Sequence, residues 1–102
     1  MLKSIEGFRE KWLSDFFHYS KPDRRIPKDI ESSLHRKLDI LNAAASHRDL
    51  RSPPGNRYEQ LNPPLDEYSS IRVNEKYRLI FKWIDGKASD IYLDPHKYSK
   101  HK

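Results

Sequence analysis

The sequence contains no cysteine, which excludes a disulfide framework and a metal site built from thiolates. It has only three glycines, and apolar residues make up 35% of the chain. No apolar run is long enough to predict a signal peptide or a membrane-spanning helix, so we expect a cytosolic protein. The five histidines lack the spacing of metal ligands and no acidic cluster is present, so we expect neither a metal nor another cofactor.

Charged residues, by contrast, are abundant. They make up 34% of the 102 residues, and the net charge is +5. Residues 1–50 carry ten basic and eight acidic groups, and residues 51–102 carry ten and seven, so there is neither a basic tail nor an acidic block. A mildly positive domain suits an anionic partner such as nucleic acid or an acidic protein, and an ordinary soluble basic domain has the same composition. We expect residues 1–102 to form a single domain.

The first half of the sequence predicts two helices. Apolar residues recur at helical spacing from Phe8 onward, and a second helix is expected to begin at Pro27 and to run to Ala45. The apolar stripe of the first helix consists of Phe8, Trp12, Leu13, Phe16 and Phe17. That of the second consists of Ile30, Leu34, Leu38, Leu41 and Ala45. Basic residues off the second stripe are expected to face solvent or a ligand; they are Lys28, Arg36 and Lys37.

Beyond residue 69 the apolar period changes to two, which predicts three antiparallel strands as far as Asp94. Asp85-Gly86 is a signal for a type I′ hairpin turn, and "MLKSI" (1–5) and "YEQL" (58–61) are compatible with further short strands. One side of the central strand carries Tyr77, Leu79, Phe81 and Trp83, and the other carries Arg78, Ile80, Lys82 and Ile84. Two helices followed by a meander predict the α+β class, with a small antiparallel sheet and the helices packed on one face.

The face of the sheet opposite the helices is expected to be open and polar. Its side chains would be Arg72, Arg78 and Lys82, joined from the last strand by Tyr92, Asp94 and His96. Such groups suit RNA cleavage by attack of a ribose 2′-hydroxyl on the adjacent phosphate, which needs a base, an acid and positive charge. Histidine can transfer the protons, arginine can bind the phosphate, and Tyr92 can stack a base or donate a proton. The alternative is a solvated charged face that ends in a frayed carboxyl terminus.

The segment "SHRDLRSPPGNR", residues 46–57, is predicted to be a loop because it holds paired prolines and a glycine. Gly55 permits a positive φ, and Asn56 is suited to a turn. Arg57 suits either a contact with RNA or an ion pair within the loop. We therefore expect Gly55 and Asn56 to shape the backbone here.

Three segments together resemble a known family. "KLDILNAAASHRDLRSPPGNR" (37–57), followed by "SIRVNEKYRLIF" (70–81) and "LDPH" (93–96), is similar to the HigB family of toxins in the RelE/ParE superfamily of toxin–antitoxin systems. The resemblance covers nearly the whole chain from about Arg24 onward. It implies a ribosome-dependent mRNA endoribonuclease and a small twisted antiparallel sheet with two amino-terminal helices. It also implies a helix-turn-helix antitoxin of the HigA type, with operator DNA bound only through that antitoxin.

The resemblance also implies a set of site residues. Arg78 in "YRL" corresponds to the arginine of a "WRI"-like motif, and Asp94 and His96 in "DPH" correspond to a terminal "DYH" motif. Pro95 replaces the family tyrosine, so the phenol must come from Tyr92 or Tyr98, or be absent. The expected catalytic residues are thus Arg78, Asp94, His96 and Tyr92, and the expected RNA contacts come from Arg57, Arg72, Lys76, Lys82 and Lys97.

One loop departs from the family pattern. "LNPPLDEYSSI" (61–71) has Asn62 and Leu65 where a lysine and an arginine would be expected, so a phosphate-binding cation is missing. Arg57, Arg72 or Lys97 could replace it, and an attenuated toxin is the other possibility. Two further functions stay open: a ParE-like toxin that binds DNA gyrase without catalysis, and a module that sequesters a regulator with its aromatic first helix. Inhibited supercoiling with intact mRNA would indicate the first of these, and regulator binding without growth inhibition the second.

Overall fold

The computed structural model describes residues 4–52 and 54–95, apart from the side chain of His47. Two helices precede four strands: α1 (Lys11–Tyr19), α2 (Glu31–Ala43), β1 (Glu59–Gln60), β2 (Tyr68–Arg72), β3 (Arg78–Ile84) and β4 (Lys87–Asp94). Short 3₁₀ turns occupy Lys28–Ile30, His47–Arg51 and Pro54–Asn56. None of the helices in the described part of the chain combines the length and apolar character that crossing a bilayer requires.

The first helix is shorter than the aromatic spacing predicts, because Phe8 lies before it in an extended segment. The backbone N–H of Arg9 donates to the carbonyl of Ile91, so the chain follows β4 at this point. The helix ends at Tyr19, and the next residue, Ser20, has a left-handed backbone (φ 54°) that turns the chain away while its N–H still donates to the carbonyl of Phe16. The remaining aromatic stripe packs as predicted: Leu13 and Phe16 are buried, and Trp12 and Phe17 are partly buried.

The second helix begins later and ends earlier than predicted. The 3₁₀ turn Lys28–Ile30 follows Pro27, and the α-helix ends at Ala43. The backbone is extended at Ala44 (ψ 136°), so Ala44 enters the core and Ala45 is exposed. The prediction for Ala45 was wrong because it extended the helical period past the end of the helix.

The four strands form one antiparallel sheet in the order β1-β2-β3-β4. Asp85 (φ 51°) and Gly86 (φ 77°) are both left-handed, as a type I′ turn requires, which confirms the predicted hairpin. The register aligns Leu79 of β3 with Ile71 of β2 and Leu93 of β4. Two-residue alternation therefore assigned the faces of the central strand correctly.

Residues 4–9 run parallel to β4 and cover its outer edge. Ile5 pairs with Ala88, and Phe8 pairs with Ile91. The N–H of Ala88 donates to the carbonyl of Ser4 (2.7 Å). A short strand was predicted over residues 1–5. The structure describes two of these residues, Ser4 and Ile5, and both bond to or pair with Ala88 of β4.

The helices pack on one face of the sheet, as predicted. The fully buried side chains include Ile71, Leu79 and Phe81 from the strands and Leu34, Leu38 and Leu41 from α2. Burying each such side chain stabilises the fold by about 1.5–3 kcal/mol. The protein thus has the predicted α+β fold, and the second face of its sheet is turned away from the helices.

A buried polar pair joins α2 to the loop that follows it. Lys37, expected to face solvent or a ligand, is only 6% exposed, and its Nζ donates to Oδ1 of Asn56 (2.6 Å). Asn56 is fully buried, and its Nδ2 donates to the carbonyls of Leu50 (3.1 Å) and Ser52 (3.2 Å). The prediction for Lys37 was wrong because the loop folds over the end of its side chain.

The loop backbone also differs from its prediction in one detail. Among the described glycines, only Gly86 has a positive φ, so Gly55 does not use its conformational freedom. The left-handed residue is Arg57 (φ 44°), which directly follows the buried Asn56. This conformation turns the carbonyl of Arg57 toward the sheet, where a side chain of β3 binds it.

Candidate functional site

The sheet face opposite the helices carries three rows of residues, each aligned by strand pairing. The first row contains Arg72 of β2, Arg78 of β3 and Asp94 of β4. The second contains Ser70, Ile80 and Tyr92. The third contains Tyr68 and Lys82, beside an irregularity in β4 at Asp90, whose backbone is left-handed (φ 51°). Successive rows are about 7 Å apart along the strands.

Arg78 lies on this face but is not the exposed group that the sequence predicted. Its side chain is 4% exposed and its Nε donates to Oγ of Ser70 (3.0 Å). Its Nη2 donates to the carbonyl of Arg57 (2.5 Å) and lies 3.6 Å from a carboxylate oxygen of Glu59. The guanidinium therefore connects β3 to β2, to β1 and to the preceding loop. The prediction that the sheet face is open at Arg78 was wrong, because β1 and the loop cover this side chain. Ile80, on the same face, is also buried, with 1% of its surface exposed.

Three other predicted cations lie in or near the first row. Arg72 is half-buried at the end of β2, Lys76 is exposed in the turn between β2 and β3, and the side chain of Arg57 is exposed. Burial, followed by the charges of Arg36 and Arg72, lowers the pKa of the Lys37 ammonium from its ordinary value of 10.5. Positive charge thus accumulates at this end of the sheet, close to Asp94.

A second polar cluster lies on the same face and contains Arg9, Tyr68, Asp90 and Tyr92. The guanidinium carbon of Arg9 lies 3.8 Å from the centre of the Tyr92 ring. Arg9 donates to both carboxylate oxygens of Asp90 (3.1 and 2.9 Å) and to the hydroxyl of Tyr68 (3.1 Å). The Tyr68 hydroxyl in turn donates to Asp90. This group, which we call the Arg9 cluster, holds the guanidinium over an aromatic ring.

Two of the predicted site residues lie at this cluster: Tyr92 belongs to it, and Lys82 lies beside it. Lys82 is 5.3 Å from the centre of the Tyr68 ring and 3.7 Å from a carboxylate oxygen of Glu67. Burial raises the pKa of the Tyr92 phenol, although the neighbouring Arg9 charge acts in the opposite direction. Tyr92 is therefore a neutral hydrogen-bonding and stacking group near neutral pH.

The carboxylate of Asp90 is strongly stabilised in its ionised form. The hydrogen bond from Arg9, followed by that from Tyr68, lowers the pKa of Asp90 from 3.8 to about 2. The same ion pair raises the pKa of Arg9. The cluster is consequently a fixed ion pair over the whole physiological range of pH.

This pKa shift predicts a pH-dependent contribution to stability. Because the folded-state pKa of Asp90 lies below the unfolded value, the contribution is complete above about pH 4 and is lost as the pH falls toward about 2. We expect the difference in unfolding free energy between the wild type and Asp90→Asn to shrink over this interval. Urea titrations at several pH values would measure it, with the exposed Asp66→Asn as control. A difference that stays constant with pH would contradict the assignment.

The structure brings together only part of the predicted site. Arg72, Arg78 and Asp94 share one row, Tyr92 lies in the next, and Lys82 lies in the third. His96, Lys97 and Tyr98 lie outside the described residues. Among those that are described, no group of three His, Asp or Glu side chains is arranged to hold a metal ion.

Sequence reasoning missed Arg9, Tyr68 and Asp90. Tyr68 could have been placed on this face, because it continues the two-residue alternation of Ser70 and Arg72. Arg9 gave no signal, since its position depends on the parallel pairing of residues 4–9 with β4. Asp90 reaches the face through an irregularity in its strand that strict alternation does not predict.

Known proteins resemble this chain over most of its length. The family model for the RelE-like toxin of the type II toxin–antitoxin system HigB matches residues 6–96. Toxin HigB-1 of Vibrio cholerae is 56% identical over 91 residues, which cover 89% of this chain and 96% of that protein. An uncharacterized protein of Haemophilus influenzae is 43% identical over 94 residues, which cover 92% of this chain and 93% of its own. The chain therefore belongs to the HigB family of RelE-like toxins of type II toxin–antitoxin systems, as its sequence motifs implied.

Proposed function

We propose that this toxin is a cytoplasmic, ribosome-dependent endoribonuclease that cleaves mRNA and thereby inhibits translation. One observation carries the proposal: strand pairing aligns Arg72, Arg78 and Asp94 at the end of the sheet from which the chain continues to His96. Membership of a toxin–antitoxin family implies an antitoxin partner. We propose a helix-turn-helix antitoxin of the HigA type, through which the toxin would associate indirectly with operator DNA.

The proposed reaction is attack of a ribose 2′-hydroxyl on the adjacent phosphate, which breaks the bond from phosphorus to the 5′-oxygen and leaves a 2′,3′-cyclic phosphate and a 5′-hydroxyl. His96 would accept the proton of the 2′-hydroxyl and donate a proton to the leaving 5′-oxygen, because an imidazole titrates near neutral pH, and the neighbouring Asp94 carboxylate can orient it. Arg72, Lys76 and Lys97 would bind the phosphoryl oxygens as these gain negative charge. The half-buried position of Arg72, in the same row as Asp94, supports this role.

Arg78 and Arg57 would act together in this mechanism. Because the Arg78 guanidinium binds Ser70 and the carbonyl of Arg57, it is suited to hold the loop so that the exposed Arg57 side chain can reach RNA. Arg78 is then a positioning residue whose positive charge also favours an anionic substrate nearby. Such an arrangement would replace the basic residues missing from the loop "LNPPLDEYSSI".

Dependence on the ribosome is supported by the modest charge of the protein. A net charge of +5 is modest for a protein that would have to bind and align a free mRNA by itself. The ribosome would therefore hold the mRNA, and the toxin would add the groups that act on one phosphate. Tyr92 would contribute from the adjacent row.

Mapping mRNA 5′ ends after induction tests the proposal. We expect the wild type to stop growth and to create new 5′ ends within coding sequences, and His96→Ala to lose both effects by about 100-fold or more. His101→Ala, a change of the same kind in the same terminal segment, is the matched control and should behave as wild type. Purified wild type should cleave mRNA on ribosomes but leave the free transcript intact.

Three results would contradict the proposal in different ways. Full toxicity of His96→Ala would remove this imidazole from the mechanism. Intact mRNA together with inhibited supercoiling in cells that express the wild type would indicate a gyrase-binding toxin instead. Antitoxin binding with neither growth inhibition nor RNA cleavage would indicate an attenuated toxin that acts mainly as a binding partner.

A further inference from the structure

Three members of the Arg9 cluster, Arg9, Tyr68 and Asp90, have no role in the proposed chemistry. The guanidinium carbon of Arg9 lies over the Tyr92 ring, 3.8 Å from its centre. The guanidinium edge is held by two hydrogen bonds to Asp90 and one to Tyr68. A surface arginine usually populates many conformations, but these four contacts restrict Arg9 to one.

Part of this fixed guanidinium remains accessible to a ligand. The Arg9 side chain is 41% exposed, although its guanidinium carbon lies 3.8 Å from the centre of the Tyr92 ring and 5.8 Å from that of the Tyr68 ring. The side of the guanidinium directed away from the Tyr92 ring is not engaged by that ring contact or by the hydrogen bonds to Asp90 and Tyr68. A guanidinium plane is weakly hydrated and binds other planar groups by stacking. The site thus offers a preformed planar surface to an incoming planar ligand.

We infer that Arg9 is a stacking site for one unpaired RNA base, next to the phosphate that the toxin cleaves. Single-stranded RNA is commonly bound in this way, with bases stacked on aromatic rings or arginine planes. This inference rests on the proposed function and adds a substrate-binding subsite to it. Tyr92 would act from beneath, by supporting the arginine rather than by contacting the base.

The position of the cluster on the sheet agrees with this role. Tyr92 lies on the same face as Asp94 and two residues before it, so the two positions are about 7 Å apart. On the other side of the cluster, Lys82 lies 5.3 Å from the Tyr68 ring and can reach a backbone phosphate. A short RNA segment could therefore extend along the face from the first row to the third.

The competing explanation is purely structural. The ion pair between Arg9 and Asp90 also attaches residues 4–9 to β4, and this would stabilise the fold without any ligand. The two explanations differ for Arg9→Lys. Lysine keeps the positive charge beside Asp90 but has no planar group, so it preserves the attachment and removes the stacking surface.

Arg25→Lys provides a matched control. Arg25 also pairs with an aspartate, since its Nη1 lies 3.1 Å from Asp23, and it also lies over an aromatic ring, 5.5 Å from the centre of Trp12. It belongs to the connection between the two helices, away from the open sheet face. The same substitution there reports the general effect of losing a stacked guanidinium.

Fluorescence of a base analogue tests the inference without requiring cleavage. The probe is a single-stranded oligoribonucleotide bound to the ribosome as mRNA, with one 2-aminopurine and with methylated 2′-hydroxyls, which block the attack. We expect the wild type and Arg25→Lys to quench the 2-aminopurine on binding, and Arg9→Lys to bind about tenfold more weakly with little quenching. Thermal unfolding should show that both variants remain folded.

Cleavage mapping provides the second measurement and separates the two proposals. If the wild type cleaves mRNA, Arg9→Lys should cut the same transcripts about tenfold less efficiently and with altered base preference. Equal quenching by the wild type and Arg9→Lys, or no quenching by the wild type, would overturn the stacking site. Wild-type quenching without any cleavage would instead overturn the endoribonuclease proposal and leave an RNA-binding surface.

Discussion

Replacing Asn56 by alanine is expected to lower the free energy of unfolding by about 3–5 kcal/mol. Asn56 is fully buried, and its Oδ1 is the acceptor for the ammonium of Lys37, which is only 6% exposed. Alanine would leave that buried charge without its acceptor. It would also leave the carbonyls of Leu50 and Ser52 without the amide that binds them, which adds to the loss.

Urea unfolding followed by circular dichroism would measure this loss. Arg57→Ala, at the exposed neighbouring position, is the control and should change the unfolding free energy by less than about 0.5 kcal/mol. In the double variant Lys37→Met/Asn56→Ala no charge is left buried, so its loss should be smaller than the sum of the two single losses. A loss below about 1 kcal/mol for Asn56→Ala would show that the pair is not needed to hold the loop.

Replacing Arg78 by alanine is expected to lower the free energy of unfolding by about 3 kcal/mol and to abolish toxicity. The guanidinium is almost completely buried and binds Ser70, the carbonyl of Arg57 and Glu59. Because it connects the loop and β1 to the centre of the sheet, its loss should release both. Arg78→Lys should recover only part of the stability, since an ammonium cannot reproduce the planar fork that reaches several acceptors.

Arg72→Ala is the matched comparison for Arg78, because both arginines belong to the first row. Arg72 is half-exposed and is proposed to contact RNA directly, so its loss should reduce cleavage while changing the unfolding free energy by less than about 0.5 kcal/mol. Both substitutions should therefore reduce activity, but only Arg78→Ala should lower the free energy of unfolding substantially. A fully stable Arg78→Ala would contradict the positioning role and favour direct contact with the phosphate.

The main features of the fold follow from local patterns in the sequence. Two-residue alternation in β3 placed Leu79 and Phe81 beneath the helices, because successive side chains of a strand point to opposite faces. Asp85-Gly86 identified the hairpin, since its turn needs two left-handed residues. The strand faces and the turn depend on residues that are adjacent in the chain, so the sequence alone predicts them.

The errors occur where burial depends on distant segments. The helical period gave no reason to bury Lys37, and only the path of the later loop covers it. Ile80 and Arg78 were assigned to the correct face, yet alternation cannot tell that this part of the face is covered. The position of Arg9 beside Asp90 likewise depends on pairing between segments far apart in the sequence.

Because residues 4–9 pair with β4, this part of the fold cannot form until β4 has been synthesised. Ile5 and Phe8 find their sheet partners, Ala88 and Ile91, in β4, so these contacts join segments that are far apart in the sequence. While the chain is being synthesised, Arg9 has neither Asp90 nor Tyr92 to bind. A nascent chain therefore lacks the finished Arg9 cluster until β4 has been synthesised and has left the ribosome.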